Sequence, residues 1–166
     1  MEALEAQEEN DGDRVVLTDY ERDKMLTVLM GAPGAGKTTW LKNNAKDEII
    51  LSTEPIRINR DLDREAFMNN LRLSGYKALK DGKSVIVDGT NVISYQRLLW
   101  LKMAKIHKVS ARLITFEATL EQLIQSQSTR LNPVPYPVVM DHYNKFYSSL
   151  SRIDNEGWDE IVRIKR

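Results

Sequence analysis

The stretch Gly31-Ala32-Pro33-Gly34-Ala35-Gly36-Lys37-Thr38, set directly behind the apolar run Met25–Met30, limits most severely what this chain can fold into. An apolar run of six ending in glycine predicts a buried strand, and the residues after Lys37 predict a helix to about Lys46. Glycines between a strand and a helix let backbone N–H groups curl round a phosphate, and the helix N-terminus adds its partial positive charge. The spacing is that of the Walker A pattern, in the context that pattern requires. In this reading Gly31 to Thr39 form a triphosphate cradle. Lys37 spans the β- and γ-phosphates, and the Thr38 hydroxyl ligates Mg²⁺. ATP and Mg²⁺ are therefore the expected cofactors.

A chain of 166 residues, 42% hydrophobic, can bury one sizeable core. Cysteine is absent, and His107 and His142 stand far apart, so thiolate and histidine metal sites are not expected. No apolar run approaches the ~20 residues that span a bilayer, and the acidic N-terminus is not a leader. The chain is thus expected to be soluble and cytoplasmic.

Residues 1–23 carry nine acidic side chains against two arginines, a net charge of −7, and the remainder carries the compensating +7. The first 23 residues read as a disordered acidic tail and residues 24–166 as one domain. A positive body suits polyanionic partners, although ATP alone accounts for part of it.

Further strands are expected at Ile56–Asn59, Ser84–Val87, Ala111–Phe116 and Glu160–Ile164. Helices are expected from about Asp63 to Lys80, Ser94 to Lys108, Thr119 to Ser128, and through to Leu150. Five strands alternating with helices predict an α/β fold with a parallel sheet covered on both faces. Ligands in such sheets bind beyond the carboxyl ends of the strands. Asp61 and Asp88 both follow expected strands.

Asp61 is placed to orient a hydroxyl and accept its proton, and Arg64, three residues on, to pair with an anion on the same acceptor. Taken alone, that stretch reads equally as a helix start with a capping acid and a solvated arginine. Asp88-Gly89-Thr90-Asn91 closes the third strand. Asp88 would order Mg²⁺, and Thr90 and Asn91 would bond the acceptor or the loop, with an Asx-rich turn as the bland alternative. Arg130, in Thr129-Arg130-Leu131-Asn132-Pro133, would reach over the triphosphate from a lid near 129–137, stiffened by Pro133, Pro135 and Pro137. Lys102, Lys105 and Lys108 would track phosphates or form an ordinary solvated face. Trp40 and Trp100 would stack on bases or pack in the core.

Together these residues resemble the kinase domain of phage polynucleotide kinase and its P-loop relatives, which include phage 5-hydroxymethyluracil DNA kinases. GAPGAGKTTW, INRDLDR, VIVDGTN and TLEQLIQSQSTR resemble the family's four motifs in order, over about Met25 to Leu150. The resemblance implies an adenylate-kinase-like sheet with a small lid. It implies Lys37 and Thr38 at ATP·Mg²⁺, Asp61 as general base, Arg64 at an acceptor phosphate and Arg130 as lid arginine. Family lids often carry another arginine four positions earlier, where this chain has Ser126. The acceptor implied is a hydroxyl on nucleic acid, DNA foremost: a polynucleotide 5′-hydroxyl or the hydroxymethyl group of 5-hydroxymethyluracil. For a phage-encoded protein the compartment is the host cytoplasm. A small-metabolite kinase and a non-catalytic nucleotide-dependent binding module are the competing readings. Oligomeric state is left open.

Overall fold

The computed structural model describes residues 24–166, together with the backbone of a two-residue antiparallel pairing between Asn10–Asp11 and Arg14–Val15. The remainder of the expected acidic tail lies outside the described residues. Five strands, β1 (Met25–Met30), β2 (Ile49–Ser52), β3 (Val85–Asp88), β4 (Ser110–Glu117) and β5 (Glu160–Lys165), form one sheet in the order β2-β3-β1-β4-β5. Every neighbouring pair is parallel. Helices α1 (Lys37–Asn44), α2 (Glu54–Ile58), α3 (Arg64–Lys80), α4 (Ser94–Ile106), α5 (Leu120–Gln127) and α6 (Tyr136–Ser149) connect them. This is the predicted α/β architecture.

Strand β1 shows why the sheet needs cover on both sides. Leu26, Val28 and Met30 point to one face, where Trp100, Leu101 and Ala104 of α4 and Leu79 of α3 pack on them. Leu29 points to the other, among Ile86, Ile114, Phe116 and Leu123. Trp100 is therefore core, 2% exposed, and not a stacking platform. Helix α4 leaves the carboxyl edge of the sheet and ends at its amino edge. Lys105 and Lys108 thus sit at the end opposite Asp88 and do not extend the site.

The second strand is not where the sequence suggests. Residues 56–58, expected as strand, belong to α2, and the strand is Ile49–Ser52, pairing Ile49 with Val85 and Ser52 with Asp88. The β-branched run Ile49-Ile50 carries the strand signal. Pro55 lies in the first turn of α2, where its missing N–H costs nothing. Elsewhere the local signals hold. Asp63 caps α3 through Ala66 N at 3.2 Å, and Thr119 with Gln122 forms a capping box on α5.

Candidate active site

Behind β1 the chain turns through Gly34 (φ 91°) and Gly36 (φ 110°) into α1. No side chain caps this helix, and its first turn holds no acid. The first ladder bond runs from Trp40 N to Gly36 O at 3.1 Å, which leaves the N–H groups of Lys37, Thr38 and Thr39 at an uncapped helix start. That is an anion cradle. Lys37 folds back over it, its Nζ donating to the Gly31 carbonyl at 2.6 Å and the Ala32 carbonyl at 2.9 Å. Burial lowers its pKa to about 8; the Asp88 carboxylate opposes that shift and Arg130 adds to it.

Asp88 ends β3 beside Ser52, whose hydroxyl donates to Oδ2 at 3.3 Å. Burial raises the Asp88 carboxyl above the usual range, against the pull of Lys37 and the Ser52 hydrogen bond. The turn after it is fastened to the loop: Gly31 N donates to the Thr90 carbonyl at 3.0 Å. Asn91 was expected at the acceptor but is buried, 6% exposed, with its amide donating to the Leu29 carbonyl at 2.7 Å. At φ 47° its backbone takes a left-handed turn that asparagine tolerates, and its carbonyl accepts from Arg97 at 3.0 Å. Arg97, fully buried, is paired in turn with Glu156 at 2.6 Å.

A cleft of about 1170 Å³ opens over the loop, and Lys37, Thr38, Thr39, Asp88, Thr90 and Arg130 all line it. Predicted residues from three separate segments thus meet in one place. Asp61 and Arg64 do not line it. Asp61 is exposed in the α2–α3 link, its N–H on Asn59 Oδ1 at 3.0 Å, and Arg64 is exposed at the start of α3. Glu54 and Arg57 of α2 line the cleft instead. Arg57 donates to Glu54 Oε2 at 3.2 Å and to the Asn132 carbonyl at 3.0 Å. Their three-residue spacing would put them on one face of a helix, a signal lost when the segment is read as a strand.

Two further residues line it: Trp40, expected to stack on bases or pack in the core, and Arg166, which was not foreseen. Trp40 packs edge-on against Phe116, ring centroids 6.3 Å apart. Arg166, following β5, donates to both the Gly34 carbonyl and Ser126 Oγ. A guanidinium from another part of the chain therefore reaches the position where related lids often carry their own arginine. Nothing in the local sequence marks it.

The donor set fits ATP·Mg²⁺. An uncapped helix start and a buried lysine would supply phosphate contacts, and Thr38 with Asp88 on the same cleft would supply cation contacts. Among the described residues no group of three or more His, Cys, Asp or Glu is assembled. A cation here would accordingly draw its remaining ligands from phosphate and water, the usual habit of Mg²⁺.

Fold and loop together define a P-loop nucleotide-binding domain with the kinase type of architecture. The family model described as an AAA domain matches residues 26–153, and the chain belongs to that family. It is similar to the L-seryl-tRNA(Sec) kinase of Methanococcus maripaludis, 32% identical over 133 residues, 74% of this chain. The chain spans 52% of that relative's length. Among solved structures it resembles a chain of the Pnkp1/Rnl/Hen1 RNA repair complex, with TM-score 0.66 and 19% identity over 79% of this chain and 46% of that one. It also resembles Chaetomium thermophilum Kti12 in complex with ADP-AlF3, with TM-score 0.58 and 16% identity over 84% and 88%. No helix of the described residues is long and apolar enough to cross a membrane.

Proposed function

We propose that this domain is an ATP-dependent kinase that transfers the γ-phosphoryl group to a hydroxyl carried on nucleic acid. The observation that carries the reading is one cleft in which the phosphate loop, Asp88 and Arg130 stand together with the Glu54–Arg57 pair. The likeness to a tRNA-directed kinase and to a chain of an RNA repair complex supports a nucleic-acid acceptor.

ATP·Mg²⁺ supplies the phosphoryl group; the chain supplies position and charge. Backbone N–H groups from Gly34 to Thr39 hold phosphate oxygens, while Thr38 and Asp88 hold the cation. Lys37 exchanges the Gly31 and Ala32 carbonyls for phosphate oxygens. Arg130, on a lid near 129–137, neutralises charge that develops during transfer. Asp61 accepts the acceptor hydroxyl's proton, because Glu54, which lines the cleft, is engaged by Arg57 whereas Asp61 forms no ion pair among the described residues. Arg57 and Arg64 hold the phosphate next to the reacting hydroxyl. The similar proteins favour an acceptor carried on RNA; a 5′-hydroxyl end and hydroxymethyluracil in DNA rest on motif resemblance.

The test is transfer from γ-labelled ATP to 5′-hydroxyl RNA and DNA oligonucleotides, serine-charged tRNA, hydroxymethyluracil DNA and a panel of sugars and nucleosides. Label in a nucleic acid, lost in Lys37→Ala, is expected. Label confined to small metabolites would move the acceptor to the competing class.

A further inference from the structure

The last residue of α5, Gln127, uses its whole side-chain amide. Nε2 donates to the Pro33 carbonyl at 3.1 Å and to the Leu123 carbonyl at 3.3 Å, while Oε1 accepts from Val134 N at 2.9 Å. Two carbonyls facing the nitrogen and one N–H facing the oxygen leave the amide a single orientation. Its backbone carbonyl accepts from Arg130 N at 3.2 Å. One residue therefore touches the phosphate loop, the far end of the α5–α6 link, and the arginine between them.

The surroundings show why the contact is needed. Leu131 is 95% exposed, and Thr129, Asn132 and Pro133 are exposed as well, so the link has little packing of its own. Val134, 5% exposed, is where the chain re-enters the core. The Gln127–Val134 bond closes the link into a short loop, which removes much of its conformational freedom. The Pro33 bond then ties that closed loop to the phosphate cradle. The end of α5 sits so low on the cradle that a Cβ at Gly34 would stand 2.9 Å from Ser126 Cβ and 3.0 Å from Gln127 Nε2.

We propose that Gln127 is a positioning residue that sets Arg130 over the phosphate loop and links that setting to occupancy of the loop. The proposal rests on the reading above that the loop takes ATP and that Arg130 addresses its phosphates. Nucleotide on the loop shifts or stiffens the Pro33 peptide, and the amide carries this to Val134 and Arg130 without contacting the nucleotide.

Trypsin cleavage of the Arg130–Leu131 bond tests it without reference to catalysis. With a non-hydrolysable ATP analogue the wild-type bond should be protected by about tenfold or more, the scale of a two-state shift of this kind. Gln127→Leu, similar in volume but unable to hydrogen-bond, should lose that protection while keeping its fold by circular dichroism and binding the analogue within about threefold of wild type. Gln127→Glu keeps the acceptor for Val134 N–H and sets a carboxylate against the Pro33 carbonyl. It should cleave slowly without nucleotide, as wild type does, yet gain no protection with it. In the transfer assay, Gln127→Leu added to Arg130→Ala should lower kcat little further, since both act through one group; a merely structural glutamine would give additive losses.

Wild-type protection in both variants, or additivity with Arg130→Ala, overturns the proposal alone. A wild-type protein that does not bind the analogue, or binds it with no protection at Arg130, overturns the underlying reading and the proposal with it.

Discussion

Arg57 donates Nη1 to the carbonyl of Asn132 at 3.0 Å, joining α2 to the α5–α6 link across 75 positions of sequence. The same guanidinium holds Glu54 at 3.2 Å, so one side chain braces this wall of the cleft. Helix α2 and the α5–α6 link are therefore in direct contact.

Replacing that arginine should separate function from stability. The Arg57–Glu54 pair is partly exposed, 30% and 55%, and such pairs contribute only about 0–1 kcal/mol. Arg57→Ala should leave the melting temperature almost unchanged while raising the acceptor KM by about tenfold. Arg57→Lys should rescue poorly, because an ammonium cannot address a carboxylate and a carbonyl with one planar fork. Steady-state kinetics beside a thermal melt would show both.

Two carboxylates compete for the role of base, and their amides decide between them. Asp61→Asn should reduce kcat by about 10²–10⁴ with nucleotide affinity unchanged. Glu54→Gln should cost less than about tenfold. The opposite ranking in single-turnover transfer would hand the proton to Glu54, the carboxylate that lines the cleft.

Gly34 and Gly36 both have positive φ but differ in what surrounds them. A Cβ at Gly36 meets nothing within 4 Å, whereas one at Gly34 meets Ser126 Cβ at 2.9 Å. Gly36→Ala should therefore carry backbone strain alone, about 1–3 kcal/mol by urea denaturation. Gly34→Ala should add displacement of α5 and lose more nucleotide affinity than its partner variant, measured by equilibrium binding.

The buried pair of Arg97 and Glu156 predicts how stability responds to acid. Burial pushes the Glu156 carboxyl up, but hydrogen bonds from Arg97, Trp158 and Ser94, with the Arg97 charge, outweigh it and hold the group below its ordinary 4.5. An acid with a depressed folded pKa binds its proton more readily when unfolded. Its contribution is therefore complete above about pH 4.5 and is lost as pH falls from there through the folded value. Stability measured from pH 7 to 3 should flatten in Glu156→Gln over the acid end of that range. Arg97→Met, which leaves a buried carboxylate unpaired, should cost about 3–5 kcal/mol at neutral pH.

Most elements were legible because their signals are local. The continuous apolar run Met25–Met30, the Thr119–Gln122 box and the Asp63 cap each lie within a few residues of chain. The second strand was missed for a comparable reason. Ile49–Ser52 and Ile56–Ile58 are both short apolar runs, and strand and helix are hard to separate at that length. That error moved Asp61 to a strand end on paper and hid Glu54 and Arg57. Asn91 was misjudged because an asparagine after a strand looks alike whether it faces a ligand or, as here, holds the Leu29 carbonyl.

The phosphate cradle was determined by the sequence alone, since its glycines, lysine, threonine and helix start are consecutive and their geometry follows from backbone sterics and helix ends. The contacts that brace the cleft from elsewhere in the chain were decided by tertiary structure. Arg57 meets Asn132, Gln127 meets Pro33, and Arg166 meets Gly34 only because a parallel sheet delivers every β-to-α connection to one edge. Contacts between groups so distant in the chain depend on sheet order and helix packing, and no periodicity within either segment records them.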